Sequence, residues 1–339
     1  MGRVTIKDIA QLAGVSYASV SRALNGGGKI SEETRKRILQ ICEQEGYRVN
    51  IHARNLSSHK TFILGVIVPN IANPFYSDIV LHFSTHAQTY GYHILLCNSL
   101  FDPALEEEML GYLIDQQVDG IVLVSPRNYS IDYVRRFQKS IPIILLGGSF
   151  YENDLRGINI VNLDNRSGGH LAADYLYRLG HRDIVYLGYR SGTITHKERL
   201  GGFMDELAQY NIQPYVIENK DDHSSIEKGY ELGKELFQSS RHFTAVSCSA
   251  DMIALGVIKA ASECGIRIPE DISLLGFDNN TYSSLPGIEL STIDQRKELM
   301  AKASVDLLIS LIESPVSGEY VRKTFMPELI VRKSCRSIL

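Results

Sequence analysis

Few residues in this 339-residue chain have the types and spacing for bond chemistry. His82 and His86 stand four apart on a helical stretch, where two imidazoles can share a metal, but no third ligand is evident nearby. Gly26-Gly27-Gly28-Lys29-Ile30 looks like a phosphate-cradling loop but lacks both the leading glycine and the Ser or Thr that should follow the lysine. No G-x-G-x-x-G follows the first strand-like run, and neither G-x-S-x-G nor H-E-x-x-H occurs. The five cysteines, Cys42, Cys97, Cys248, Cys264 and Cys335, are scattered and odd in number, so they suggest reduced thiols rather than a disulfide framework or a metal knuckle. An enzyme is therefore not expected, nor is a metal or cofactor. The chemistry that remains is recognition by hydrogen bonds and charge.

The strongest recognition surface lies at the start, in VTIKDIAQLAGVSYASVSRALN, Val4 to Asn25. Thr5 followed by Asp8 reads as a helix N-cap pair, and Ile9, Leu12 and Ala13 fall on one face of a helix over about 6–13. Gly14 permits a turn, Ser16 can cap the next helix, and Val20 with Leu24 gives that helix an inward stripe. Tyr17, Ala18, Ser21 and Arg22 are left outside. A third helix starts at Ser31, turns Ile38, Ile41 and Cys42 inward and ends near Gly46. Two helices on a short glycine turn with a third bracing them make a helix-turn-helix, whose second helix enters the major groove of DNA. There Arg22 can fork onto a guanine, and Tyr17 can reach base edges or phosphate. A three-helix protein-protein module with a solvated polar face is the plainer alternative.

Charge favours the nucleic-acid reading. Residues 1–60 hold ten Lys and Arg against five Asp and Glu, which leaves that stretch at +5 and the rest of a chain of net charge −4 at −9. A basic head on an acidic body brings only the head towards phosphates, where it displaces condensed counterions. Residues 47–60 are short, polar and basic and read as a linker. Leu56 stands out there: it can wedge between base steps in a minor groove, or it can pack on the body.

From Thr61 the pattern changes to alternating strand and helix. Strand-like runs at 62–68, 92–97, 120–124, 143–146, 159–161, 183–187, 245–248 and 272–277 are separated by amphipathic helical stretches, including 75–90, 104–117, 167–179, 199–210, 226–238 and 252–264. Such alternation predicts parallel sheets covered by helices, and about 280 residues of it predict two sheets with a cleft between them. No N-terminal apolar leader and no membrane-length run is present, so a cytoplasmic protein without membrane association is expected.

The head, the linker ARNL, NPFY (Asn73–Tyr76), LGHRDIVYLG (Leu179–Gly188), ERLGGF (Glu198–Phe203), ADMIALG (Ala250–Gly256) and DISLLGFDN (Asp271–Asn279) together resemble the lactose-repressor and galactose-repressor family of bacterial transcription regulators, in the family's order over nearly the whole chain. The resemblance implies an all-α helix-turn-helix head at 1–46, a hinge at 47–60, and an α/β body at 61–339 of two parallel-sheet lobes like a periplasmic sugar-binding protein. The first lobe would combine about 61–161 with 291–323, and the second 162–290 with 324–339. It further implies a homodimer or higher assembly on near-palindromic double-stranded operator DNA, with the 75–90 helix along the dimer interface and a small-molecule effector, a sugar or sugar derivative, in the cleft.

Residue by residue, the DNA-facing set comprises Thr5, Ser16, Tyr17, Ala18, Ser21, Arg22 and Asn25 in the head, with Ala53, Arg54 and the minor-groove leucine Leu56 in the hinge. Phe75 and Tyr76 match the segment whose aromatic rings line the cleft in purine-binding members, and Arg199 and Asp278 match the arginine and aspartate that hold sugar hydroxyls or polar effector edges. Ser125, Thr195, His223 and Gln295 match further cleft positions. Two positions depart from the pattern: Gly147 stands where the lactose repressor has a sugar-contacting aspartate, and Ala250 where many members have asparagine. Without the family, Arg199 and Asp278 read equally as a structural ion pair or helix-capping group, although their places after strands favour a cleft. Three functions follow from these readings: a ligand-responsive repressor of carbohydrate uptake or catabolism genes, a regulator of the same family that answers to a protein corepressor such as a phosphorylated phosphocarrier protein, and a sugar-binding or enzymatic body carrying an unrelated head.

Overall fold

The computed structural model describes residues 4–25, 30–47, 60–124, 132–147, 157–189, 194–219, 223–314 and 320–339. The chain divides into two compact units, Met1–Thr61 and Phe62–Leu339. In the first, α1 (Ile6–Ala13), α2 (Tyr17–Asn25) and α3 (Glu32–Gln44) surround a small core of Ile9, Ala10, Ala13, Val20, Ala23, Ile38 and Cys42. A capping box starts α1: Thr5 Oγ1 accepts from the Asp8 N–H at 3.4 Å, and the Asp8 carboxylate accepts from the Thr5 N–H at 2.8 Å. Gly14 ends it at φ 61°, in the left-handed region that favours glycine. Leu12 does not point inward as expected; it is 57% exposed, and Ala10 takes its place. At about 100° per residue the buried arc runs through Ile9, Ala13 and Ala10, and Leu12 falls on its far flank.

The second unit contains two six-stranded sheets. The first has the order β11-β5-β4-β3-β1-β2, built from β1 (Ile63–Val68), β2 (His93–Asn98), β3 (Gly120–Val124), β4 (Ile143–Leu146), β5 (Asn159–Leu163) and β11 (Arg322–Phe325), all parallel. Its helices are α4 (Pro74–Thr89), α5 (Pro103–Asp115) and α6 (Asp132–Phe137). The second has the order β12-β10-β9-β8-β6-β7, from β6 (Ile184–Tyr189), β7 (Tyr215–Asn219), β8 (Ala245–Cys248), β9 (Ser273–Asp278), β10 (Ser291–Asp294) and β12 (Glu328–Ile330), the last antiparallel. Its helices are α7 (Asn165–Arg178), α8 (Ile194–Gln209), α9 (Ile226–Gln238) and α10 (Asp251–Glu263), while α11 (Lys297–Glu313) returns to pack on α4 and the first sheet. Among the described residues no helix is long and apolar enough to cross a membrane.

The three crossings between lobes fall later than expected. Asn159–Leu163 and Arg322–Phe325 stay whole in the first sheet. Ser291–Asp294, expected in the first lobe, pairs with Leu275–Asp278 in the second, so that crossing follows Asp294. Its polar residues are accommodated because the Thr292 hydroxyl donates to the buried Asp251 carboxylate at 2.6 Å and the Ser291 N–H to Ser334 Oγ at 2.8 Å.

Glycine permits the closest helix contacts. A Cβ on Gly202, in the ERLGGF motif, would lie 2.0 Å from the Arg166 carbonyl oxygen, and one on Gly169 would lie 2.1 Å from that of Arg199. These contacts press α8 onto α7. Gly202→Ala should therefore cost the body roughly 1–3 kcal/mol or more in urea denaturation. Gly201→Ala meets only the movable Arg166 side chain, at 3.1 Å, and should fall within about 1 kcal/mol of wild type; equal losses in the two variants would contradict backbone contact as the cause.

Candidate functional site

Two surfaces collect the residues singled out in the sequence. On the head, Ser16, Tyr17, Ala18 and Arg22 are exposed along the first turns of α2, and Ser21 is half-buried. Tyr17 leaves 54% of its surface in solvent. Thr5 is exposed at the start of α1, held by its capping box. The side chain of Asn25, and Ala53, Arg54 and Leu56 in the hinge, lie outside the described residues.

In the body, one cavity of about 70 Å³ between the two sheets gathers Phe75, Tyr76, Thr195, Arg199, Asp278 and Gln295 on its walls. Strand ends supply much of the wall. Val124, Leu146, Leu163, Tyr189 and Asp278 close β3, β4, β5, β6 and β9, and Gln295 follows β10, so the cavity sits at the carboxyl edge of both sheets, where open parallel sheets bind ligands. Asn73, the cap of α4 that accepts from the Phe75 N–H at 3.0 Å, lines it too. Gly147 and Ala250, the two departures from the family pattern, both line it and offer no polar side chain.

Arg199 and Asp278 form the polar centre. Arg199 donates from Nε to Asn165 Oδ1 and from Nη1 to the Ser249 carbonyl, each at 2.9 Å, and its guanidinium lies 3.9 Å over the Phe277 ring. Its Nη1 stands 3.6 Å from Asp278 Oδ1, which also accepts from Gln295 Nε2. The two readings of this pair are thus compatible, since it is a buried ion pair and also part of the cavity wall. Asp278 has φ 129° and Asn279 φ 48°, costly for non-glycine residues and characteristic of sites whose surroundings over-determine the backbone. Thr195 Oγ1 is buried on the wall without a partner among the described residues.

His223 departs from expectation. It is not on the cavity wall; its ring stacks on Phe101 of the other lobe at 5.3 Å, and the adjacent Ser224 lines the cavity instead. Ser125 lies outside the described residues, next to wall residue Val124. Asn165 and Tyr189 were not anticipated. Asn165 opens α7 directly after a strand, a position at which a polar side chain can turn towards the strand ends; Tyr189 carried no signal beyond ending an apolar run.

Comparison with known proteins matches both parts of the chain. Residues 5–50 match the bacterial regulatory proteins, lacI family, and residues 173–335 match a periplasmic binding protein-like domain. The chain is 33% identical to the HTH-type transcriptional repressor PurR of Actinobacillus pleuropneumoniae serotype 3 (strain JL03), over 98% of this chain and 99% of that protein. The chain belongs to the lacI family. A lac repressor dimer bound to operator and the anti-inducer ONPF superposes with a TM-score of 0.85 at 25% identity, over 99% of this chain and 100% of that one. A LacI family transcriptional regulator from Enterococcus faecium with bound ribose gives 0.71 at 27% identity, over 82% and 100%. As a lacI-family protein this chain is a DNA-binding transcription regulator rather than an enzyme.

Electrostatics give this lacI-family cleft a pH signature. Burial pushes the Asp278 carboxyl up to about 7; the Arg199 guanidinium opposes it, Asp251 adds to it, and Lys297 with the Gln295 hydrogen bond opposes it further. The folded state thus holds a proton that the unfolded chain releases near the ordinary carboxylate value of 3.8. This contribution favours folding at low pH, declines as pH rises from about 4, and is fully lost above about 7. Asp278→Asn should flatten that decline when unfolding of the ligand-free protein is measured across this range. An unchanged slope would mean that Asp278 is ionised throughout.

Proposed function

We propose that this chain is a ligand-responsive repressor of carbohydrate uptake or catabolism genes, which binds a near-palindromic operator as a dimer and takes its effector in the cleft between the lobes. The observation that carries the reading is the convergence of Arg199, Asp278, Gln295 and the rings of Phe75 and Tyr76 on one cavity at the strand ends, in a chain whose other unit exposes Tyr17 and Arg22 on a recognition helix. A carboxylate and a guanidinium beside aromatic rings suit a ligand with hydroxyl edges and an apolar face. The ribose held by the Enterococcus faecium regulator supports a sugar. Leu56 of the hinge, in this reading, wedges into the central minor groove.

Operators enriched from a randomised DNA pool test the head. Arg22→Ala should weaken the enriched site by about 1–3 kcal/mol and relax preference at one base position; equal losses on enriched and random DNA would reduce Arg22 to a phosphate contact.

A thermal-shift screen of sugars tests the cleft, since a ligand at 100 times its Kd should stabilise by roughly 2.7 kcal/mol. With the best ligand, Asp278→Ala and Arg199→Ala should abolish the change in operator affinity while leaving ligand-free binding within a few fold, because a ligand shifts the two states only through unequal affinity for them. If both folded variants respond as wild type does, the cleft assignment fails, and a signal delivered on the outer surface by a partner protein becomes the better account.

A further inference from the structure

One buried side chain ties the Asp278 side of the cleft to α4, the helix whose Phe75 and Tyr76 line the cleft from the first lobe. Lys297 opens α11 just after the crossing that follows β10, and its side chain is only 7% exposed. Its ammonium donates to the carbonyl oxygens of Asp278, at 2.9 Å, and Asn279, at 2.5 Å, both in the second lobe. The same nitrogen stands 3.3 Å from Asp78 Oδ2 on α4, in the first lobe. The other oxygen of Asp78 accepts from Thr281 Oγ1 at 3.0 Å.

The carbonyls that Lys297 holds belong to the residues with left-handed backbone, φ 129° and 48°. Such backbone persists only where several contacts over-determine it, and two more converge here: Asn279 Nδ2 donates to Asp294 at 2.5 Å and Arg332 Nη2 donates to Asn279 Oδ1 at 2.6 Å. Asp278 faces the cleft, while Asn279, Lys297 and Asp78 line a separate outer groove. A buried ammonium carries a heavy desolvation penalty that a methionine in its place would avoid, so its retention calls for a use of the charge itself.

We propose that Lys297 is a positioning residue for the effector site and a latch between the lobes: it fixes the Asp278–Asn279 turn so that the carboxylate faces the cleft, and ties that turn to Asp78 on α4. A displacement of the turn when the cleft is occupied is then transmitted to α4. The inference rests on reading the cleft as the effector site, but its test needs no effector, so failure of that reading appears in the ligand titration and failure of the latch appears in the measurements that follow.

The experiment compares the full-length wild type with Lys297→Met, Lys297→Arg, Asp78→Asn, Thr281→Val and the Asp78→Asn/Lys297→Met double variant, by amide hydrogen exchange and by stability against pH. Lys297→Met should raise exchange severalfold in both 278–281 and the first turns of α4. The double variant should unfold no earlier than Lys297→Met alone. Asp278 is faced by Arg199 of α8, Asp251 of α10, Tyr189 of β6, Gln295 and Lys297, and loss of the last cation should carry the pH window of declining stability upward. Lys297→Arg should restore the wild-type window, and Thr281→Val, which removes only the direct hydroxyl contact, should leave it unchanged. Losses that add in the double variant, exchange confined to one lobe, or an equal drop in stability at every pH would overturn the latch. Should Lys297→Met not fold, Asp78→Asn decides alone: exchange at 278–281 must exceed that of Thr281→Val, and equality refutes the role of the ammonium.

Discussion

A guanidinium and a carboxylate buried 3.6 Å apart in the cleft, Arg199 and Asp278, form the interaction to which the architecture of the body answers. Burying such a pair is favourable only when the remaining donors and acceptors are also occupied. Here each partner comes from a different element: Asn165 from the start of α7, the Ser249 carbonyl from the turn after β8, the Phe277 ring from β9, and Gln295 from beyond β10. The pair therefore depends on α7 and α8 meeting backbone to backbone at Gly169 and Gly202, and on β8, β9 and β10 lying side by side. A second buried carboxylate, Asp251, secures the far side. It accepts from the hydroxyls of Ser283 and Thr292, each at 2.6 Å, and from the Asn280 N–H at 2.9 Å, which fixes the chain just after Asp278. Gly276 must lack a side chain there, since its Cβ would stand 2.2 Å from Asp251 Oδ1.

The two units divide the electrostatic work. The head concentrates positive charge and presents a recognition helix whose inward face is spent on a core of only a few residues, so its outward face is set by its own sequence alone. The body carries the acidic balance, and two of its cations, Arg199 and Lys297, are turned inward onto carbonyls and carboxylates. Membership of the lacI family accounts for this pairing, because regulation requires one unit that reads DNA and another whose state depends on a small ligand or partner.

Much of this was legible in the residues, and for local reasons. The Thr5–Asp8 capping box, the left-handed Gly14 and the period of α3 involve neighbours within four positions, which a linear sequence displays directly. The apolar runs of β3 and β4 are short, bounded and buried on both faces, so they read as parallel strands in a chain that alternates strand and helix. Leu12 misled because spacing alone does not say which flank of an apolar arc meets the core. The cleft was legible only in part: Arg199 and Asp278 stood out through motifs, whereas Asn165 and Tyr189 gained their roles from what lies across the cavity.

The sequence by itself determined most of the elements, though not the strands Tyr215–Asn219, Ser291–Asp294, Arg322–Phe325 and Glu328–Ile330, together with the division into a basic head and an acidic α/β body and the family to which the motifs belong, because caps, periodicity and charge are local or additive properties. Tertiary structure alone decided which sheet receives Ser291–Asp294, that His223 turns to Phe101 rather than to the cavity, and that Lys297 reaches both Asp78 and the carbonyls of Asp278 and Asn279. Each of these depends on partners brought together from distant parts of the chain. A four-residue strand of Ser, Thr, Ile and Asp has no preference for one lobe until Asp251 and Ser334 stand ready to satisfy its hydroxyls and backbone, and no spacing along the chain records that they do.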